Sequence, residues 1–307
     1  HLRRFGHTVH IVEMAQKAGG MMRYGIPVYR LPREILDAEI QRILDMGVTI
    51  EYGRKVEDVL AEKEKGKYDA VIMGMGASLS TNVDIPSGDT THILTALNVL
   101  EKISSDGDIQ IGRKVAVYGG GNTAVDVARS LRRLGAEPII VYRRNRDKMP
   151  ANEEEMDGAI EEGIQVKWLT TIQEAQGEKL KIEKMALDEK GYPQPTGEYE
   201  EMDADSVVLA IGQNVDLSVL KAIPGLELQK DAVTVNTTTF ETTVPGIFAA
   251  GDMVPGDRTV TAAIGMGKHA ARGVNGYLNG RPYVKPEKHE DARFEDMHPY
   301  YYTDAPK

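Results

Sequence analysis

The 307-residue sequence carries a net charge of −10 and no cysteine. The acidic balance argues against a general nucleic-acid binder. Without cysteine, these residues supply no disulfide exchange, thiolate nucleophile or cysteine-held iron–sulfur cluster. No apolar run approaches the roughly 18 residues of a membrane span, seven scattered histidines offer no zinc spacing, and a cytoplasmic location is the default expectation.

In chain order, Leu2-Arg3-Arg4-Phe5-Gly6 reads as the end of a helix closed by glycine. The β-rich run Thr8–Val12 follows and stops at Glu13. Asp69–Met73 reads as a buried parallel strand that breaks into Gly74 and Gly76. A short polar link, Ser104–Asp108, precedes the strand Lys114–Tyr118, the tight loop Gly119–Ala124 and a helix over Val125–Leu134. Pro138–Val141 is the next strand, ending in Tyr142-Arg143-Arg144. Residues 176–204 are polar and turn-rich, as in a surface hairpin, and Asp205–Ile211 is a second buried strand ending at Gly212. Thr242–Gly246 marks a return, followed by the strand Ile247–Ala250, Gly251-Asp252 and a helix over Thr259–Leu278. From Arg281 a proline-containing tail with Tyr300-Tyr301-Tyr302 reads as an extended arm packed on its own domain.

Two of these stretches repeat. Leu131-Arg132-Arg133-Leu134-Gly135 and its following strand echo Leu2–Val12, and Asp205–Gly212 echoes Asp69–Gly76. The repeat predicts an α/β fold with two Rossmann-like dinucleotide-binding domains, the second inserted in the first. The boundaries expected are 1–107 with 244–307 for the first domain and 108–243 for the second. The second copy is preceded by a strand and glycine-rich loop that the first copy lacks, so the first βα unit of the first domain is expected to be missing and the chain to be a fragment.

Gly119-x-Gly121-x-x-Ala124, set between a strand and a helix, fits a pyrophosphate loop. The first glycine makes the turn, the second admits phosphate and the small third residue lets helix and strand pack closely. The bland alternative is a structural turn. At the end of the next strand, Arg143 and Arg144 stand where an NAD site wants a carboxylate. Their fixed donors suit a 2′-phosphate, which favours NADP(H); solvated loop arginines are the alternative. The matching position in the first copy is Glu13, suited to free ribose hydroxyls such as those of FAD. Asp252 after Gly251 is placed to accept from a ribityl hydroxyl, and the helix start at Thr259–Ala263 to stabilise negative charge on a flavin ring through its dipole. A generic strand-to-helix turn is the alternative there. Met21, Met22 and Met266 read either as ring neighbours or as core filler.

Together, Gly19-Gly20-Met21-Met22-Arg23-Tyr24-Gly25-Ile26-Pro27, Tyr29–Pro32, Gly119–Asp126, Val141–Arg144, Met149–Ala151, Ala210–Gln213 and Gly246–Asp252 resemble the glutamate synthase small (beta) subunit family. That family is related to the flavin half of dihydropyrimidine dehydrogenase and to NADH-dependent ferredoxin–NADP oxidoreductase. The resemblance implies FAD in the first domain and NADP(H) in the second, with hydride passing from NADPH to FAD and electrons onward to a large synthase subunit or ferredoxin-like acceptor. It also implies that iron–sulfur clusters, where the family has them, belong to the missing amino-terminal region or a partner, and it allows a homo-oligomer. It assigns Glu13, Gly20, Met21, Arg30, Val56, Gly76, Gly251, Asp252, Thr261 and Ala262 to FAD. To the nucleotide it assigns Gly119, Gly121, Asn122, Thr123, Ala124, Arg143, Arg144, Ile211 and Gly212. No side chain is assigned as a catalyst, because the cofactors carry the chemistry. The rival readings are an adrenodoxin- or ferredoxin-reductase-like flavoprotein and a non-catalytic nucleotide-binding assembly subunit.

Overall fold

The computed structural model describes residues 1–87, 92–105, 107–281 and 283–285. The three tail tyrosines therefore lie outside the described residues. After a 3₁₀ turn over Leu2–Phe5, strand β1 (His10–Val12) leads through helices α1 (Gly20–Tyr24) and α2 (Arg33–Asp45) to β2 (Thr49–Glu51). Helix α3 (Val59–Gly66) starts at Asp58, whose carboxylate accepts from the Leu60 and Ala61 amides, an N-cap of the usual kind. It precedes β3 (Val71–Met73) and the short β4 (Leu79–Ser80).

The second sheet follows. Its parts are β5 (His92–Thr95), α4 (Ala96–Ser104), β6 (Lys114–Tyr118), α5 (Asn122–Arg133), β7 (Glu137–Val141), α6 (Glu153–Glu161) and β8 (Gln165–Lys167). Strands β9 (Thr170–Gln176), β10 (Lys179–Leu187) and β11 (Pro193–Asp203) form an antiparallel sheet, one strand more than the hairpin expected. Then β12 (Ser206–Leu209) returns to the parallel sheet, giving the order β5-β12-β6-β7-β8. The chain closes with β13 (Gln213–Asn214), β14 (Leu228–Gln229), β15 (Ala232–Val233), β16 (Ile247–Ala249) and α7 (Val260–Leu278). Strand β16 pairs in parallel with β3, and β1 with β2, as two separate pairs.

The five-stranded sheet is covered on both faces, which is why its strands read as unbroken apolar runs. On one face Val115, Val117, Ile140 and Val208 pack against Val99, Leu100, Val125, Ala128, Leu131 and Met156 of the helices. On the other, Ala116, Val141, Val207 and Leu209 meet Ile172, Leu180, Ile182 and Met202 of the antiparallel sheet. A third core gathers Val59, Met73, Ile247, Ala249 and Met253 with Val219, Leu220 and Val233.

These contacts move both expected domain boundaries. Strand β5 pairs with β12 along its whole length, so the second sheet begins near residue 92 rather than at 108. Val215 through Val233 join the core around β3 and β16, so the first unit resumes well before residue 244. The polar link at Ser104–Asp108 follows a helix belonging to the second sheet. It marks a loop inside that unit, where exposure alone selects polar residues.

Candidate functional site

Three neighbouring strands end side by side where the nucleotide loop was expected. Gly119–Gly121 follow β6, Arg143 and Arg144 follow β7, and Ile211 and Gly212 follow β12, in the sheet order β12-β6-β7. Carboxyl ends of adjacent parallel strands are where open α/β sheets bind ligands. Each glycine of the loop has its own reason. Gly119 has φ +152°, its amide donates to Val141 O at 3.0 Å, and a Cβ there would sit 2.2 Å from Ala210 O. A Cβ on Gly120 would strike the Tyr142 ring at 2.4 Å. Gly121 differs, because a Cβ added there meets nothing within 4 Å. It is the N-cap of α5 and faces open space in ordinary extended backbone, the geometry of a cradle for an anion.

Ala124, fully buried, lets α5 lie close on the sheet. Asn122 spends its side-chain oxygen on the Asn152 amide, 2.8 Å away, so it ties the loop to the Met149–Asn152 turn. Arg143 is exposed, and its guanidinium has no carboxylate partner among the described residues. Arg144 is half-buried, with its guanidinium 6.0 Å from the Tyr192 ring and its Nε shielded without a hydrogen-bond partner. An orphaned guanidinium N–H beside an open helix N-terminus is the donor set a phosphate satisfies. These residues fit a dinucleotide phosphate.

The flavin-side residues fall at two places. Gly76 follows β3, with φ +70°, and Gly251 follows the adjacent β16, with φ +79°. Both leave their Cβ directions free of tight contact. Asp252 is half-buried, and burial raises its carboxyl above the usual range despite the opposing Arg258 charge. Thr261 and Ala262 form the first turn of α7, capped by Thr259 Oγ1 accepting from the Ala262 amide at 3.1 Å. Glu13 follows β1, and one of its oxygens accepts from the Ala15 amide at 2.9 Å. Gly20 and Met21 begin α1, and Val56 packs at the edge of the third core. Met266 also packs against that core, the filler role. The open Cβ directions at Gly76 and Gly251 leave room for a dinucleotide at this strand end.

Arg30 has a set of partners that the sequence did not reveal. Its Nη1 donates to both carboxylate oxygens of Asp126 on α5, at 2.8 and 2.9 Å, and its Nε lies 3.1 Å from Glu155 on α6. Burial works against the Arg30 charge, but Asp126 and Glu155 outweigh it and leave the guanidinium raised. Burial lifts the Asp126 carboxyl to about 6 even against the lowering influence of Arg30. One signal was available: Asp126 is a lone carboxylate in the small and apolar run Ala124–Ala128, all of it buried in α5.

The sequence model of the pyridine nucleotide-disulphide oxidoreductases matches residues 1–267. The chain belongs to that family. None of these 307 residues is a cysteine, so they carry no thiol for disulphide chemistry. It is 36% identical over 278 residues to the NAD-dependent dihydropyrimidine dehydrogenase subunit PreT of Escherichia coli K12, covering 90% of this chain and 64% of PreT. It is 36% identical to the NADP(+)-dependent formate dehydrogenase subunit beta of Moorella thermoacetica, covering 96% of this chain and 44% of that one. A putative glutamate synthase [NADPH] small chain of Cereibacter sphaeroides is 30% identical, with 90% of this chain and 73% of that protein aligned. The resemblance read from the motifs is therefore borne out at the level of the family. The chain spans less than two thirds of the first two relatives.

Among solved structures, Mycobacterium tuberculosis FprA in complex with NADPH superimposes with a TM-score of 0.71 at 17% identity, over 91% of this chain and 81% of that one. Thioredoxin reductase of T. acidophilum gives 0.68 at 20% identity, over 91% and 92%. These likenesses establish the shared two-domain dinucleotide-binding fold.

Proposed function

We propose that the chain is the electron-input part of an NADPH-dependent flavoprotein oxidoreductase. The observation carrying this reading is the Gly119–Gly121 loop, with Gly121 open, α5 starting behind it and the Arg144 Nε shielded without a partner one strand away. The α5 amino end and Gly121 would hold the pyrophosphate, and Arg143 and Arg144 the 2′-phosphate. Ile211 and Gly212 would border the nicotinamide half. Glu13, Gly20, Met21, Val56, Gly76, Gly251, Asp252, Thr261 and Ala262 are proposed to line FAD; Arg30, engaged by Asp126 and Glu155, is left out of that lining. When bound, FAD supplies the acceptor for the hydride of NADPH, with a proton drawn from solvent. The protein's own part is to bind, align and shield the two rings, which supplies rate without an acid or base. Electrons would leave to a partner subunit or ferredoxin-like acceptor, as the relatives' names as subunits favour, through iron–sulfur centres outside these residues.

PreT is NAD-dependent by name, which keeps NADH as the second candidate donor. Titration with NADPH and NADH separates them. Arg143→Gln combined with Arg144→Gln is expected to weaken NADPH by roughly tenfold or more, about the 1.5–3 kcal/mol of a charged hydrogen bond, and to leave NADH unchanged. Equal affinities for the two nucleotides in the parent protein would count against the choice of NADPH. A visible spectrum of the full-length protein tests FAD. Absence of a flavin band there after incubation with FAD would remove the flavoprotein reading.

A further inference from the structure

Tyr29 and Arg30, in the segment between α1 and α2, meet α5 and α6 through charges that the nucleotide loop does not use. Arg30 reaches Asp126 and Glu155 at 2.8 and 3.1 Å. The Tyr29 ring lies beneath two more guanidiniums, 3.8 Å from Arg133 and 5.2 Å from Arg129, measured from the ring centre. Arg129 is itself held by Glu155 and Glu162, and Arg133 by Glu162. Three guanidiniums thus balance three carboxylates around one tyrosine. Asp126 is the deepest of the group, with its side chain 7% exposed, while that of Arg30 is 29% exposed.

A charge pair buried this way adds little net stability, because desolvation offsets attraction, yet removing either partner alone is strongly unfavourable. What such a pair does well is fix register. Its place in the fold says which register. Asp126 lies one turn along α5 from Asn122, at the nucleotide loop. Arg30 lies in the segment that begins at Gly20 and Met21, on the flavin side. A single helix therefore runs from the proposed pyrophosphate cradle to the anchor of the flavin-side segment.

We propose that Arg30 and Asp126 are positioning residues. Their pair clasps the Gly20–Leu31 segment onto α5 and so fixes the spacing between the two dinucleotide sites. The kinetic consequence rests on the function proposed above; the clasp itself does not. Hydride transfer needs close, aligned rings, and a displacement of about 1 Å can cost on the order of a hundredfold in rate.

The cysteine-free sequence allows a direct test. Exposed Ala38 on α2 and Glu161 at the end of α6, replaced as Ala38→Cys and Glu161→Cys, take a spin-label pair whose separation is read without any cofactor. Arg30→Met, Asp126→Asn and the double variant are compared in that background. Each single change is expected to shift or broaden the distance distribution, and the double to match the singles rather than add to them. With FAD and saturating NADPH, flavin reduction should slow by roughly tenfold to a hundredfold while NADPH affinity stays unchanged. Arg30→Lys, which keeps the charge but loses the fork, should fall between parent and Arg30→Met, and serves as the assay if a harsher variant fails to fold. Distances unchanged in every variant overturn the clasp, as do additive effects in the double. Distances that shift in a protein binding neither flavin nor NADPH uphold the clasp and remove the functional reading instead.

Discussion

Gly119 and Gly121 stand two positions apart and predict opposite outcomes. Gly119→Ala places a methyl 2.2 Å from Ala210 O at a φ of +152°, so the protein should lose several degrees of melting temperature or fail to fold. Gly121→Ala meets no protein atom and should melt like the parent. Its methyl occupies the cradle, however, so NADPH affinity should drop by about tenfold or more, as expected when the backbone can no longer approach the phosphate. Calorimetry with and without nucleotide separates the two effects. At Asp126 the folded carboxyl titrates near 6 against 3.8 ordinarily, chiefly because it is buried. Between those values the native state holds a proton that the unfolded chain releases. Its contribution to stability is therefore fully present below about pH 4 and lost as pH rises through 6, on the order of 2–3 kcal/mol. Asp126→Asn should flatten the dependence of melting temperature on pH between 4 and 7. A parallel profile would refute the assignment. Much at this scale was legible in the sequence, because glycines at a strand end and arginines after a strand carry their chemistry with them. The Arg30 clasp was not, since Asp126 lies 96 positions away in the chain and Glu155 farther still, and only packing brings them together.

The elements show the same division. The strand, loop and helix from Lys114 to Arg133 form where periodicity and glycine placed them, with the helix starting three residues earlier than expected because Gly121 acts as its N-cap. Strand β5 was missed for a physical reason. An edge strand of four residues, His92–Thr95, has too short an apolar pattern to announce which sheet it joins. Helix α7 offers a sharp check on packing. A Cβ on Gly273 would stand 2.0 Å from Thr239 O, so the helix lies directly on backbone. Gly273→Ala should destabilise the protein by roughly 1–3 kcal/mol, as overpacking of a fixed contact does. Ala at Thr259, the cap of the same helix, should remove about 1 kcal/mol. Chemical denaturation resolves both, and a neutral Gly273→Ala would show that α7 sits farther from Thr239.

For the whole molecule, ligand linkage ties the sites to stability. A nucleotide that binds only the folded chain at a hundred times its dissociation constant adds about 2.7 kcal/mol. NADPH should therefore raise the melting temperature, and the Arg143→Gln, Arg144→Gln protein should show much less of that rise. The overall class was readable from the internal repeat, because two copies of one strand pattern imply two sheets. The sharing of segments between sheets was not, since the long-range pairing of β5 with β12 leaves no local mark.

That same pairing bears on how the protein is made. Strand β12 lies between β5 and β6, yet about 90 residues separate it from the end of β6. At roughly 5–20 residues per second, a ribosome needs on the order of 5–20 s to deliver it. Until then β5 and β6 wait with facing apolar edges and no strand between them. The nascent chain is thus expected to be vulnerable to aggregation during that interval and dependent on chaperones that mask open sheet edges, long after the nucleotide loop itself has emerged.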